Sequence, residues 1–210
     1  MTTLSESFYN RSDVVAIAKD LLGKVIVTSF GDRLTTARIV ETEAYNGIID
    51  KASHAYGGRN TNRTTVMFGE GGRAYVYLCY GIHHLFNVVT NLHGTPHAVL
   101  IRGVVPIEGI PVMLERTGKI KADASLTRGP GNVSKALGIN TSHTRFALTE
   151  RPLLIADDGF IVPPECIIAT PRIGVDYAGE DALLPYRFIV KGNKYVSGKK
   201  AQNSDAKAGW

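Results

Sequence analysis

Only two cysteines, Cys79 and Cys166, occur in 210 residues. That excludes a disulfide framework and any Cys-x-x-Cys zinc or redox motif. Both sit inside apolar runs, as reduced core thiols would. No apolar run approaches the roughly 20 residues that span a bilayer, and the N-terminus lacks a basic stretch followed by an apolar one. The expectation is a cytoplasmic protein with no membrane partner. The six histidines are scattered. Adjacent His83 and His84 would diverge on a strand, so no metal site is expected. The stretch GEGGRAY lacks G-x-G-x-x-G spacing and precedes a strand, which makes it a turn and not a nucleotide cradle. Acidic charge is the scarcer sign, 19 Asp plus Glu against 24 Lys plus Arg, a net charge of +5. A basic balance suits a polyanionic partner without identifying one.

Hydrophobic residues make up 44 % of the chain, enough for an ordinary core. One domain over residues 1–210 is expected, with residues 1–11 and 198–210 as flexible ends and a polar tail starting at Ser197. Ser12 reads as an N-cap ahead of Val14, Ile17, Ala18, Leu21 and Leu22 at helical spacing, stopped by Gly23. Strands are expected at residues 24–30, 36–45, 73–79, 85–90, 98–105, 153–156, 166–170 and 186–191. Helices are expected at 106–116, with Pro106 near its start, and at 132–137. Residues 80–84 read as a hairpin turn. Residues 46–72 show no period, and an irregular stretch of that length is often functional. The resulting fold class is mixed α/β (α+β): a curved, mostly antiparallel sheet, flanking helices and a protruding β-hairpin.

Two segments carry the chemistry. Residues 41–54 read ETEAYNGIIDKASH, and residues 75–87 read YVYLCYGIHHLFN. On a regular strand Glu41 and Glu43 share a face. Each residue also has an ordinary reading. Glu43 can face solvent or pair with Arg38 or Arg102. Tyr45 and Tyr77 can be core aromatics with satisfied hydroxyls. His54 can be a surface loop residue, and Arg102 can close a strand-end ion pair. Arg59, Arg63 and Arg73 can touch phosphates or stay solvated. Tyr80 differs in kind. It precedes Gly81 at a hairpin turn, where a large aromatic has no core to enter, so its exposure marks a contact. A carboxylate, stacking aromatics and an aromatic wedge are the parts needed to extract a base from DNA and cut it off.

The same segments resemble the alkyladenine (3-methyladenine) DNA glycosylase family. The likeness continues in order through AVLIRGVVPIEG, LTRGPGNVSKALGI, PRIGVDYAGE and LPYRFIVKGNKYVS. One departure is a slightly longer spacing between Asn87 and Arg102, which lengthens a loop. The resemblance implies a monofunctional purine DNA N-glycosylase that hydrolyses the bond to 3-methyladenine, 7-methylguanine or hypoxanthine in double-stranded DNA, as a monomer without cofactor or metal. It implies Glu43 as the carboxylate that activates water, with Arg102 helping to hold water and nucleotide. It places Tyr45 and His54 on one face of the flipped base and Tyr77 on the other. Asn87 falls against guanine's exocyclic amine, and the Ile173 carbonyl becomes a further water partner. Tyr80 becomes the intercalating wedge, with Ile82 a nearby apolar contact. Arg59, Arg63 and Arg73 become phosphate contacts, and Glu41 is secondary. No lysine falls where a Schiff-base nucleophile would sit. Two rivals stay open. A non-catalytic binder of distorted DNA would use the Tyr80 wedge but has no need of Glu43. A nucleosidase leaves Tyr80 and the basic loop unexplained.

Overall fold

The computed structural model describes residues 1–198. Its elements in chain order are β1 (Thr2–Thr3), α1 (Glu6–Tyr9), α2 (Val14–Asp20), β2 (Val25–Phe30), β3 (Arg33–Tyr45), β4 (Ala74–Cys79), β5 (His83–Thr90), β6 (His97–Glu108), α3 (Ile110–Thr117), α4 (Pro130–Leu137), β7 (Thr149–Glu150), β8 (Leu153–Asp157), β9 (Ile167–Thr170) and β10 (Arg187–Val190). All the strands join one antiparallel sheet in the order β1-β8-β2-β3-β6-β5-β4, with β10 bridging β3 and β9, and β7 on β8. This is the mixed α/β architecture with a curved antiparallel sheet and flanking helices that the patterning implies.

The long strand β3 organises the site. One of its edges pairs with β2 over Arg33–Arg38 and then with β10 over Glu41–Glu43. Its other edge pairs with β6, with register shifts on both sides of Glu41. Bulges of this kind bend a strand and re-aim side chains. The curl thus sits where the two glutamates are. Val14, Ile17, Ala18 and Leu21 of the α2 region bury one helical face in the core that also holds Ile39, Phe86, Ile101 and Val104 of the sheet.

Several expectations are corrected. Asp13, not Ser12, caps α2: its carboxylate accepts the Val15 and Ala16 amides, and it also places negative charge at the helix N-terminus. The lead-in before Ser12 is not loose, because Thr2 and Thr3 pair with β8 and the Tyr9 ring is fully buried. A Cβ at Gly72 would meet that ring at 2.9 Å, so GEGGRAY is a turn chosen for close approach. Pro106 lies inside β6, not at a helix start. It pairs with Ala37 beside a register shift, where a missing amide is tolerated. The helix begins after Gly109, with Pro111 in its first turn. Cys79 is half-buried at a strand end and is not a core thiol. The expected frayed tail lies outside the described residues from 199 onward, but its first residue, Ser197, is bonded into the core. No helix among the described residues is long and apolar enough to cross a membrane.

Candidate active site

Glu41 and Glu43 are both completely buried on β3. A buried carboxylate is costly unless its lone pairs are met by donors. Glu43 accepts from three: the Ile173 amide at 2.8 Å, the Tyr45 hydroxyl at 2.9 Å and Arg102 Nη1 at 3.3 Å. Glu41 accepts from Arg187 Nε at 2.7 Å, the Ser197 amide at 2.7 Å, Ser197 Oγ at 2.8 Å and Arg102 Nε at 3.2 Å. Arg102 on β6 therefore spans the two glutamates, and two arginines balance two carboxylates. A Cβ on the adjacent Gly103 would meet the Tyr195 carbonyl at 2.6 Å, so glycine there lets the C-terminal segment close over Glu41. Burial works against the charge of Arg102, but Glu43 and Glu41 more than offset it and its affinity for the proton is raised. Burial first and Glu43 second push the Tyr45 hydroxyl well above its ordinary range, so it stays protonated and donates.

Beside this cluster lies a pocket with about 160 Å³ of water-accessible space. That is roughly ten times what one water needs. Tyr45, Tyr77, His54, Asn87, Arg102 and Ile173 all border it, and Tyr80 and Tyr177 stand at its rim. Glu43 itself is not in the wall. It sits behind its own three partners, each of which is. The His54 and Tyr77 rings touch edge to face at 4.6 Å, so a base entering between them must part them. Asn87 donates its amide nitrogen to the Tyr75 and Leu85 carbonyls, which fixes the amide orientation.

Alternation along β4 puts Tyr75 and Tyr77 on the pocket side and Val76 in the core. The β4–β5 connection is tighter than the expected turn over residues 80–84. Tyr80, Gly81 and Ile82 make all of it, and the Ile82 amide returns to the Cys79 carbonyl at 3.1 Å. Tyr80 is 91 % exposed with φ at 50°, followed by Gly81 at 72°. Two positive φ values define a type I′ turn, where Asn-Gly is favoured and a bulky residue is strained. Ile82 is exposed at the same tip and does not reach the pocket. Arg59 and Arg63 are near enough to act on His54. Arg73 lies apart from them in a second cleft with Arg145 and Arg151.

Sequence reasoning missed several members of this site. Arg187 and Ser197 complete the Glu41 cluster. Arg172 and Asp50 form a buried ion pair beside Tyr45. Tyr75 holds His54 through a 2.8 Å contact to Nδ1. The available signal was a charge set in an apolar context, as in GIID and TPRIG, which marks a buried partner without naming it.

His54 gives a pH prediction. Burial, then Arg63 and Arg59, lower its pKa to about 4 from about 6.5, so it is neutral at pH 7. A depressed histidine contributes stability that is complete above pH about 6.5 and is lost as pH falls toward 4, because the unfolded chain then binds the extra proton. His54→Gln should flatten the fall in melting temperature across that window. Parallel slopes for the variant and the parent would place His54 in solvent.

The pocket, the wedge-like tip and the buried carboxylates invite comparison with known proteins. A sequence model of the methylpurine-DNA glycosylase family matches residues 7–194. A Chlamydia abortus protein is 45 % identical over 188 residues, covering 89 % of this chain and 97 % of its own. A Myxococcus xanthus protein is 46 % identical over 197 residues, 94 % of each chain. One from Desulfitobacterium hafniense is 41 % identical over 206 residues, 95 % of this chain and all of its own. All three carry the name "Putative 3-methyladenine DNA glycosylase". A likeness that runs from the first turn of α1 to the segment closing over Glu41, at this identity, makes the chain a member of the methylpurine-DNA glycosylase family.

Proposed function

We propose that this protein removes damaged purines from double-stranded DNA by hydrolysing the N-glycosidic bond, leaving an abasic site and a free base. The substrates are 3-methyladenine, in line with the relatives' names, and by the family resemblance 7-methylguanine and hypoxanthine. One observation carries the reading: a fully buried carboxylate stands one hydrogen bond behind an aromatic pocket whose rim bears an almost fully exposed tyrosine.

In this reading the flipped base enters the pocket and regains stacking on Tyr45, Tyr77 and His54, worth about 1–3 kcal/mol per stacked base. Asn87 screens its edge. Water reaches Glu43 by displacing the 3.3 Å Arg102 contact, the loosest of the three. Glu43 takes its proton as the oxygen attacks the anomeric carbon, and its charge favours the cation developing on the sugar. Arg102 then holds water and nucleotide. Ile173 enters through its amide, which donates to Glu43, and not only through the expected carbonyl. Water is the nucleophile, so no cofactor or metal is called for, and the protein acts as a monomer on DNA in the cytoplasm. Arg59, Arg63 and Arg73 meet phosphates.

A non-catalytic reading, recognition of distorted DNA by the Tyr80 wedge, draws on the absence of Glu43 from the pocket wall. Release of free base from duplexes bearing one damaged purine each separates the two. Excision should be seen without a borohydride-trapped adduct. Binding with no released base from any duplex would leave only the wedge.

Tyr80 supplies a second check. Tyr80→Asn places the residue preferred for this turn, relieving about 1 kcal/mol of strain and raising the melting temperature by about 2–4 °C. Excision should fall, and fall less when the lesion sits in a mismatch, where unpairing costs less. Equal losses on paired and mispaired lesions would remove the wedge role.

A further inference from the structure

We propose that the buried Arg172–Asp50 pair is the positioning device of this site, setting the Ile173 amide against Glu43 and the pocket's loop wall with one guanidinium. The proposal rests on the excision role given to Glu43 above.

Arg172 forks onto Asp50, Nη1 to Oδ2 at 2.5 Å and Nη2 to Oδ1 at 2.8 Å. The two side chains are 0 % and 1 % exposed. The same nitrogens also reach carbonyls on two further segments, Ala44 at 2.9 Å and Asp181 at 3.1 Å. Ala44 lies on β3 between Glu43 and Tyr45. The guanidinium carbon stands 4.8 Å from the Tyr45 ring centroid, and that ring's hydroxyl donates to Glu43. The residue after Arg172 is Ile173, whose amide meets Glu43 at 2.8 Å. Asp50 in turn accepts the Asn46 amide and the Ala52 amide, both at 3.0 Å, fixing the start of the loop that carries Ala52, Ser53 and His54 to the pocket.

One planar fork thus sets three walls relative to each other: β3, the loop after it and the segment bearing Ile173. A lysine could keep the charge but not this geometry. Stability alone gives little reason for an ion pair here, since apolar residues of similar volume often serve a core as well. Registering three segments against a carboxylate does give a reason. Arg172 and Asp50 touch neither base nor water in this scheme; they act through Ile173, Tyr45 and the loop.

The test uses the full chain. Arg172→Lys keeps the charge and loses the fork; Asp50→Asn keeps the shape and loses the charge. The first readout is the Ile173 amide proton resonance in ¹⁵N-labelled protein, with Glu43→Gln as reference for a weaker, uncharged acceptor. The second is the single-turnover excision rate of hypoxanthine at saturating enzyme, beside affinity for undamaged duplex. Both variants should shift the Ile173 proton in the direction seen in Glu43→Gln. The saturating rate should drop roughly 10- to 100-fold, the usual scale for a displaced reacting group, with undamaged-duplex affinity unchanged. If Arg172→Lys does not fold, the isosteric Asp50→Asn carries both readouts. An unmoved Ile173 resonance, or a normal saturating rate in a folded variant, overturns the proposal. If the parent protein itself excises nothing, the function reading fails instead, and the amide readout still decides whether the pair sets the Ile173–Glu43 contact.

Discussion

Glu43→Gln should leave a folded, DNA-binding protein that excises damaged purines about 10²–10⁴-fold more slowly, the usual worth of a general base. The expectation follows from the three donors. Glutamine can offer its oxygen to the Ile173 amide, which meets Oε1. Its amide nitrogen then faces Arg102, and two donors oppose each other where the carboxylate accepted at 3.3 Å. The side chain can neither take the water's proton nor offset charge on the sugar. Hypoxanthine should suffer more than 7-methylguanine, because a neutral leaving base needs more help than one already cationic. Single-turnover rates on both lesions, with circular dichroism as a check on folding, decide the matter. Near-normal excision of hypoxanthine would move the chemistry to another residue.

The second large effect concerns stability. Glu41→Ala should destabilise the protein by about 3–5 kcal/mol, as breaking a buried ion pair from one side does. For a domain of this size that is a fall in melting temperature of very roughly 6–20 °C. Arg187 and Arg102 would lose a shared acceptor, and the Ser197 amide would be left without one. Arg187 is fully buried, so water cannot replace the partner. Any folded remainder should also excise slowly, because Arg102 is then held by Glu43 and Ser197 alone among these contacts. Thermal and urea denaturation measure the effect. A loss below about 1 kcal/mol, the scale of a surface ion pair, would mean that the cluster is not the buried, mutually dependent set described above.

These two glutamates show what a sequence can and cannot disclose. Their shared face and the Tyr77 side of β4 follow from strand alternation, a property of neighbours in the chain. Tyr80 was legible because a bulky aromatic beside a turn glycine contradicts local preference, and contradictions of that kind collect at functional places. The rank of the two carboxylates was not legible. Glu41 looked secondary because the residues that make it a hub, Arg187 and Ser197, lie 146 and 156 positions away. Asp50 and Arg172 are 122 apart and were missed for the same reason. Pro106 failed differently. A proline followed by an amphipathic run imitates a helix start, and only its pairing beside a bulge in β3 reveals a strand. The cap of α2 slipped by one residue because Ser12 and Asp13 are both competent caps, and only backbone geometry chooses between them.

The closure of residues 187–197 over Glu41 also has a consequence for biosynthesis. A ribosome adds about 5–20 residues per second, so 156 residues separate the appearance of Glu41 from that of Ser197 by roughly 8–30 s. During that interval β3 can pair with β2 and then β6, which brings Arg102 to Glu41, but the Arg187 and Ser197 donors are still missing and the buried carboxylate lacks most of its partners. The Glu41 cluster is therefore completed late in synthesis, and a nascent chain stalled before Arg187 emerges would present a sheet with an unsealed, charged seam to the cell's chaperones and proteases.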